Sequence, residues 1–180
     1  QIGQRESGEM SNEIKVHEHG FVKLLDVMGN DEEVENAARI SYGEGTRKTS
    51  QTRNLIRYLM RHKHTSPFEM CEVKFHLKLP IFVMRQLVRH RTANLNEYSG
   101  RYSVMSDDFY FTKGKNLKPQ STSNKQGRED GELRNPGEIE FEMFRIFDGA
   151  KNAYHNLLDW DLSRELARII LPVANYTEVI

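Results

Sequence analysis

Apolar and polar residues alternate without a break over residues 71–79, which is the clearest secondary-structure signal in the chain. Every second residue from Cys71 to Leu79 is apolar, and the residues between them are charged or polar. A period of two directs successive side chains to opposite faces of a strand. The pattern therefore predicts a strand with one buried face and one solvated face, which ends at Pro80.

A second strand is predicted over residues 21–28, and the other regular segments have helical periodicity. The turn after that strand offers Asp31 as a helix N-cap. Helices are predicted over residues 31–41, 52–62, 81–91, 139–158 and 163–171, and an extended segment is predicted over residues 101–111. In the helix over 52–62, the residues on one face are Leu55, Ile56, Leu59 and Met60. Helices and isolated strands without a regular βαβ order favour an α+β fold.

Two polar stretches interrupt this order. Residues 1–13 are rich in Gly, Ser, Gln and Glu and are predicted to form a flexible leader before a domain over residues 14–180. Residues 112–137 are rich in Lys, Gly, Ser and Asn and are predicted to be a long, mobile surface loop. The chain stops soon after Pro172, so we expect that a C-terminal part of a longer protein is missing.

Charge and cysteine content narrow the function classes. The 180 residues contain 26 Lys and Arg and 26 Asp and Glu, so the zero net charge argues against a globally basic nucleic-acid binder. No apolar run approaches the roughly 20 residues of a membrane-spanning helix. Cys71 is the single cysteine, so an internal disulfide and a cysteine-based zinc site are excluded, and a cytoplasmic location is expected. The alternation over residues 71–79 predicts that Cys71 lies in the core. His62 and His64 could bind a metal as a pair, but the sequence offers no obvious third ligand.

Four arginines lie within 17 residues at the end of the helix predicted over 81–91 and in the segment after it. They are Arg85, Arg89, Arg91 and Arg101, and the segment contains one acidic residue, Glu97. Guanidinium groups bind phosphate in a bidentate manner, so a phosphorylated ligand is one interpretation. The alternative is a solvated basic helix end, which the helix dipole also favours. Spacing alone does not separate the two.

The same stretch resembles a known family. Arg89-His90-Arg91, seven further residues, and then Ser99-Gly100-Arg101-Tyr102-Ser103 is similar to the signature of the flavin-dependent thymidylate synthases. The resemblance continues in several other stretches, namely residues 25–31, 37–41, 58–60, 64–69, 80–86 and 167–172. It covers most of the chain apart from the predicted leader and the loop over 112–137.

The resemblance implies an α+β fold with a mixed or antiparallel sheet and flanking helices, in a homotetramer whose active sites are shared between subunits. It implies conversion of dUMP to dTMP, with 5,10-methylenetetrahydrofolate as the carbon donor. Non-covalent FAD, reduced by NADPH, would supply the hydride, and no metal, nucleic acid or membrane would take part. The family also continues beyond the Leu171-Pro172 motif, with asparagines toward the flavin and an arginine near the uracil ring that this sequence does not contain.

The resemblance also assigns roles to individual residues. The residues matching dUMP-binding positions are Gln86, Arg89, Glu97, Ser99, Gly100, Arg101 and Arg168. Those matching FAD-binding positions are His64, Ser66, Arg89, His90, Arg91 and Glu97, and Ser41 is a weaker match. Arg89, Glu97 and Ser99 are the candidate catalytic residues, with Ser99 expected to bind the nucleotide and not to form a covalent bond.

Two other interpretations stay open at this point. Tyr98 and Tyr102, interleaved with arginines, would suit a nucleotide- or RNA-binding module in which bases stack on the rings. A catalytically inactive relative, retained as an interaction partner, is the other. A flavin spectrum of the purified protein distinguishes a flavoenzyme from a bare RNA-binding module.

Overall fold

The computed structural model describes residues 12–40 and 52–180, which form four strands and five α-helices. The strands are β1 (Glu13–Val16), β2 (Gly20–Met28), β3 (Glu72–Pro80) and β4 (Tyr176–Val179). The α-helices are α1 (Asp31–Ile40), α2 (Thr52–Arg61), α3 (Ile81–Leu87), α4 (Pro136–Asp159) and α5 (Arg164–Ala167). Short 3-10 helices occupy Ser66–Met70, Gly114–Asn116 and Arg168–Ile170.

The strands are hydrogen-bonded in the order β1-β2-β3-β4. Strands β3 and β4 are antiparallel, with Leu77 opposite Val179 and Pro80 opposite Tyr176. Helices α3 to α5 lie between β3 and β4 in sequence, but these two strands pair antiparallel and so do not form a parallel βαβ unit. The predicted α+β class is therefore confirmed.

The chain divides into two compact units, and the first contains residues 23–40 and 52–76 of the described chain. Its core consists of Val34 and Ala38 from α1 and Leu59 from α2. Leu55, Ile56, Phe68 and Cys71 pack against this core. Cys71 was predicted to lie in the core, but it is partly buried and packs against the edge of the core. Its thiol lies 3.5 Å from the Asn30 carbonyl oxygen.

The N-cap of α1 differs from the sequence-based expectation. The side-chain oxygen of Asn30 accepts hydrogen bonds from the amides of Glu32 and Glu33, at 2.8 and 3.2 Å. Asn30 therefore caps the helix, and Asp31 occupies the first helical position. Its negative charge there interacts favourably with the positive end of the helix dipole. Gly29 precedes the cap with φ +82°, and a Cβ there would lie 2.8 Å from the Cys71 sulfur, so glycine suits both the backbone and the space.

The second unit contains residues 14–22 and 77–180. Its core consists of Met105, Tyr154 from α4 and Ala167 from α5. The partly buried residues packed against this core are Ile81, Leu157, Leu158, Leu162 and Leu171. The core thus joins the C-terminal half of α4 to α5 and to the start of α3.

Two predicted apolar faces are less buried than expected. Val73 and Phe75 in β3 are 53% and 42% exposed, although the alternation places them on the face predicted to be buried. Met60 is 62% exposed, since α1 packs against a narrower stripe of α2 than the predicted face. Helical periodicity identified α2 correctly but overestimated the width of its buried surface.

Several predicted boundaries also differ. Helix α3 ends at Leu87 instead of residue 91, because the next amides bond three residues back in tighter turns. The segment over 101–111 begins with a turn, and its extended part is the bridge between Phe109 and Asn175. Helix α4 begins at Pro136, two residues inside the loop predicted over 112–137.

The predicted leader also has a different boundary, because Glu13 begins β1 and the carbonyl of Asn12 accepts a hydrogen bond from the amide of Leu24. Residues 1–11 and 41–51 lie outside the described residues. In the part of the chain that the structure describes, no helix is long and apolar enough to cross a membrane.

Candidate functional site

The start of α3 is fixed by the end of the chain. The first two amides of the helix, those of Ile81 and Phe82, donate to the carbonyls of Asn175 and Val173, both at 2.9 Å. Amides in the first turn of a helix have no partner within that helix, so the second segment replaces the missing acceptors. Residues 173–175 therefore help to set the position of α3, and with it that of the arginines at the C-terminal end of the helix.

Asn175 extends this connection through its side chain. Its amide nitrogen donates to the carbonyls of Ser106 and Asp108, at 2.6 and 3.0 Å, and the residue is fully buried. Its side-chain oxygen has no hydrogen-bond partner among the described residues. One asparagine thus joins the start of α3 to the extended segment around Asp108.

The arginine segment, residues 85–91, has a different character. Gln86, Arg89, His90 and Arg91 are all exposed. The amides of Arg89 and His90 bond to carbonyls three residues back, and this keeps the backbone close to the helix end. Among the residues that the structure describes, no carboxylate forms an ion pair with Arg85, Arg89 or Arg91.

Glu97 lies beside β4. The amide of Asn96 donates to the carbonyl of Ile180 at 2.8 Å, and the amide of Tyr98 donates to that of Glu178 at 2.8 Å. Residues 96–98 thereby extend the sheet along the side of β4 away from β3. The hydroxyl of the buried Thr177 donates to a Glu97 carboxylate oxygen at 2.9 Å, which orients an otherwise exposed side chain.

The chain then turns sharply at Ser99. The Ser99 carbonyl accepts hydrogen bonds from the amides of Tyr102 and Ser103, both at 3.1 Å, and the Ser99 hydroxyl oxygen lies 3.3 Å from the Arg101 amide nitrogen, which donates to it. We call residues 99–105 the phosphate turn, after the ligand that the sequence predicts for it. Its backbone conformation is fixed by these internal bonds.

Two side chains pack closely against Gly100, Met105 from the same turn and Arg168 from a distant part of the sequence. A Cβ at this buried position would lie 2.6 Å from the Met105 sulfur and 3.1 Å from Cδ of Arg168. Real Cβ atoms do not approach other atoms so closely, so a larger residue would displace one of these side chains. The structure thus brings together Gly100 and Arg168, two predicted dUMP residues that are far apart in the sequence.

Helix α5 contributes further contacts to the phosphate turn. The Arg101 guanidinium forms an ion pair with Glu165 at 3.3 Å, and both side chains are more than half exposed. The Arg164 guanidinium approaches the Tyr102 carbonyl at 3.5 Å, and Arg101 lies 6.0 Å from the centre of the Tyr102 ring. Positive charge from two elements is therefore concentrated around one turn.

The carboxylates that follow the phosphate turn are paired. Burial raises the pKa of Asp108, but hydrogen bonds from Lys78 and Ser106, with the charges of Lys78 and His19, outweigh it and lower the pKa overall. Burial likewise raises the pKa of Asp107, and His155 and Lys151 of α4 reverse that effect by hydrogen bonding and charge. Both carboxylates therefore hold residues 107–108 in place as anions.

His64 and Ser66 belong to the first unit. The His64 ring makes contacts with Tyr58 and His62, each at 6.2 Å between ring centres, and Ser66 begins the 3-10 helix Ser66–Met70. Ser41 lies outside the described residues. No group of three or more residues suited to hold a metal ion is found among the residues that the structure describes.

The arrangement of the second unit suits an anionic ligand. A serine hydroxyl, a glycine backbone and the side chains of Arg101 and Arg168 meet at the phosphate turn. Hydroxyl, amide and guanidinium donors match phosphate oxygens. Sequence reasoning missed Glu165, Thr177 and Asn175. Glu165 lies three residues before Arg168 on a predicted helix, which was a usable signal, whereas the other two contacts depend on chain segments that meet only in the fold.

The chain is similar to known proteins over most of its length. The family model described as "Thymidylate synthase complementing protein" matches residues 23–180. The flavin-dependent thymidylate synthase of Rickettsia bellii is 46% identical over 92% of this chain and 61% of its own length. That of Anaplasma marginale is 51% identical over 94% of this chain and 58% of its own length. This chain therefore spans about three fifths of the length of these curated relatives.

Solved structures show the same similarity. A UMP/dUMP methylase PolB from Streptomyces cacaoi, bound with 5-Br UMP, has a TM-score of 0.76 and 36% sequence identity, over 89% of this chain and 69% of the other. The same methylase bound with 5-Br dUMP has a TM-score of 0.77 and 34% identity, over 89% of this chain and 71% of the other.

Proposed function

Since this chain belongs to the thymidylate synthase complementing protein family, we propose that the complete protein is a flavin-dependent thymidylate synthase that converts dUMP to dTMP. The observation that carries the proposal is the meeting of Gly100 and Arg168 at the phosphate turn, beside Ser99 and Arg101. A further argument is that curated relatives 46% and 51% identical to this chain carry this name.

In the proposed reaction, the C5–H bond of dUMP is replaced by a bond to a methyl group. The one-carbon unit comes from 5,10-methylenetetrahydrofolate, which leaves as tetrahydrofolate. NADPH supplies two electrons as a hydride and becomes NADP⁺, and one proton is taken up from water. Bound FAD supplies the capacity to accept that hydride from NADPH and to pass it on.

The phosphate turn would hold the nucleotide phosphate. The Ser99 hydroxyl and the guanidiniums of Arg101 and Arg168 would bind its oxygens, and Gly100 lets the backbone approach closely. The Arg101 guanidinium forms an ion pair with Glu165 at 3.3 Å in the structure. This pair is exposed, so it contributes at most about 1 kcal/mol of stabilisation. A phosphate dianion can therefore compete with it.

The arginine segment would take part in holding FAD and dUMP. The guanidiniums of Arg89 and Arg91 have no carboxylate partner in the described chain, so their donors remain available for a pyrophosphate or a second phosphate. We assign Arg89 to both ligands, Gln86 to dUMP, and His90, Arg91, His64 and Ser66 to FAD. Glu97, oriented by Thr177, would accept hydrogen bonds from either ligand.

The reaction proposed here uses no enzyme thiol. Cys71 packs against the core of the first unit, and its thiol lies 3.5 Å from a carbonyl oxygen. We therefore assign this thiol a packing role and not that of a nucleophile. Hydride delivery from a flavin removes the need for one, and this fits the single cysteine of the chain.

We further propose a homotetramer with shared active sites in the cytoplasm. Large apolar side chains are strongly exposed, among them Phe141 and Phe144 of α4, at 63% and 60%, and Trp160, at 75%. Exposed apolar residues in such number are typical of surfaces that other subunits cover. Light scattering of the full-length protein at micromolar concentration tests the assembly, and a monomer would contradict it.

The central experiment measures dTMP formation by the purified full-length protein. We expect a yellow protein whose flavin is reduced by NADPH without oxygen, and which yields dTMP when dUMP and methylenetetrahydrofolate are added. A protein with no flavin spectrum would favour a nucleotide- or RNA-binding module. A protein that binds flavin and dUMP but forms no dTMP would favour an inactive relative.

A cysteine variant tests the mechanism in the same assay. Cys71→Ala should lower the free energy of unfolding by roughly 1 kcal/mol, because it removes a partly buried sulfur that packs against the core of the first unit. Turnover should remain within about twofold of wild type, since no step uses the thiol. A variant that keeps its fold and FAD but loses all turnover would favour thiol-based catalysis.

A further inference from the structure

Tyr154 is the most deeply buried large side chain of the second unit, and the proposed reaction does not use it. It lies on α4, is 1% exposed, and packs with Met105 and Ala167. The surrounding residues, which include Leu157 and Leu158, are apolar. A phenylalanine would fill this space without placing a hydroxyl group in an apolar core.

The hydroxyl has a specific partner. It accepts a hydrogen bond from the backbone amide of Met105 at 3.0 Å, across a sequence separation of 49 residues. Burying a hydroxyl or an amide without a partner is costly, so each group satisfies the other. The bond therefore fixes the backbone of Met105 relative to α4.

Met105 transmits this position to the predicted ligand residues. Its sulfur lies against Gly100, and the side chain of Arg168 lies against the same glycine. Ala167, which is fully buried beside Tyr154 and Met105, immediately precedes Arg168. The Tyr154 hydroxyl thus bonds directly to the backbone of Met105, and the side chain of Met105 packs directly against Gly100.

Helix α4 also contacts Asp107, which lies two residues after Met105. His155 and Lys151 bind the two carboxylate oxygens of Asp107, at 2.7 and 3.2 Å. These ion pairs are more than a third exposed, whereas the bond from Tyr154 to Met105 is buried. The buried bond is also the one that falls within the phosphate turn.

We propose that the Tyr154 hydroxyl is a positioning group that, through the Met105 amide, sets the phosphate turn and Arg168 in the geometry that binds the nucleotide phosphate. This inference rests on the proposed function for the identity of the ligand. The contact between Tyr154 and the turn does not depend on it. Tyr154 touches no ligand and takes no chemical role.

The test compares Tyr154→Phe with Tyr110→Phe in the full-length protein. The control is matched because the half-buried Tyr110 packs through its ring against His17 and Phe82, and its hydroxyl has no hydrogen-bond partner among the described residues. Three quantities are measured: the Kd for dUMP by calorimetry, kcat at saturating dUMP, and amide hydrogen exchange over residues 99–105 without nucleotide.

Tyr154→Phe should raise the Kd for dUMP about tenfold, which corresponds to about 1.4 kcal/mol. Exchange over residues 99–105 should become faster, while kcat at saturating dUMP and flavin content should change less than about twofold. Tyr110→Phe should leave all these quantities near wild type. Loss of stability alone would instead lower the active fraction and flavin content together, with Kd unchanged.

Other outcomes overturn the inference or separate it from the proposed function. Unchanged exchange and unchanged Kd in Tyr154→Phe would refute the positioning role. A wild-type protein that does not bind dUMP would refute the proposed function, and exchange over residues 99–105 would still decide whether Tyr154 sets the turn. If Tyr154→Phe does not fold, the wild type decides, because a Met105 amide that exchanges at the rate of an unprotected amide contradicts the bond.

Discussion

The phosphate turn and the arginine segment both carry predicted ligand residues, but the fold treats them differently. The phosphate turn is held by Tyr154, Arg164 and its own backbone bonds, and Gly100 at its centre is buried. The arginine segment is held by local backbone bonds, and its guanidiniums project into solvent without ion-pair partners in the described chain. The phosphate turn is therefore preorganised before ligand binds. The arginine segment carries its charges on exposed side chains, which we expect to become ordered only when ligand binds.

The two regions therefore lose side-chain entropy at different stages, one during folding and the other on ligand binding. Ordering a long arginine side chain costs up to about 2 kcal/mol of rotamer entropy, and the arginine segment must meet that cost when ligand binds. The phosphate turn meets most of its ordering cost during folding. We therefore expect substitutions in the arginine segment to affect ligands alone. Substitutions at the packed positions of the phosphate turn, such as Gly100, should affect ligands and stability together.

The largest effect is expected from Arg89→Ala. In the proposed function this guanidinium contacts both FAD and dUMP, and a charged hydrogen bond contributes about 1.5–3 kcal/mol to each. Both ligands should bind more weakly by that amount, while the melting temperature of the apoprotein stays near wild type. Calorimetry for dUMP, flavin absorbance after desalting and thermal denaturation measure the three quantities.

Arg85→Ala is the matched control for that variant. Arg85 is likewise exposed and lacks an ion-pair partner in the described chain, but it is not assigned to a ligand. It should leave both affinities within about 0.5 kcal/mol of wild type. Equal losses in Arg85→Ala and Arg89→Ala would mean that the segment acts by general charge alone, which contradicts the assignment of Arg89.

Arg101→Ala should have the next largest effect, and it should be selective. The side chain is half exposed and its partner in the structure is Glu165, so its removal should cost little stability. The affinity for dUMP should fall by about 1.5–3 kcal/mol, with FAD retention nearly unchanged. Parallel loss of dUMP and FAD would indicate instead that Arg101 belongs with the arginine segment.

How far the sequence predicts the structure also differs between regions. Helix α2 and strand β3 were predicted within a few residues, because their signals are local periodicities of side chains. Strands β1 and β4 were missed, since each has four residues and is defined by its neighbours in the sheet. Asn30 replaced Asp31 as the cap because both residues are good caps, and the turn at Gly29 decides between them.

The same division applies to the candidate site. The signature residues Arg89, Ser99 and Arg101 could be selected from their spacing and from the family resemblance. The support of the phosphate turn by Met105 and Tyr154 could not be, because it joins residues 49 positions apart through one buried bond. Side-chain type indicates which groups suit a phosphate, whereas the distances between them come from tertiary packing.

Gly100→Ala tests the packed side of the comparison. The new methyl group would collide with Met105 and crowd Arg168, and overpacking of this kind costs about 1–3 kcal/mol of unfolding free energy. Affinity for dUMP should fall as well, since Arg168 would move. Gly149→Ala is the control, because no atom of the described chain lies within 4 Å of its Cβ position in α4 and alanine there should stabilise the helix by roughly 0.5–1 kcal/mol. Denaturant titration of both variants measures the difference, and an unaffected Gly100→Ala would show that the turn is not packed as described.

The smallest effect is expected from Asp107→Asn, and it should depend on pH. The folded state lowers the pKa of Asp107 through His155 and Lys151, so the unfolded chain binds the proton more readily. The stabilisation is therefore fully present above the ordinary aspartate pKa of 3.8 and is lost as the pH falls through the lower folded-state pKa. Because the pair is about 40% exposed, it should contribute only about 0–1 kcal/mol. Urea midpoints should differ between wild type and variant at pH 7 and converge toward pH 3, and a difference that grows on acidification would contradict the ion pair.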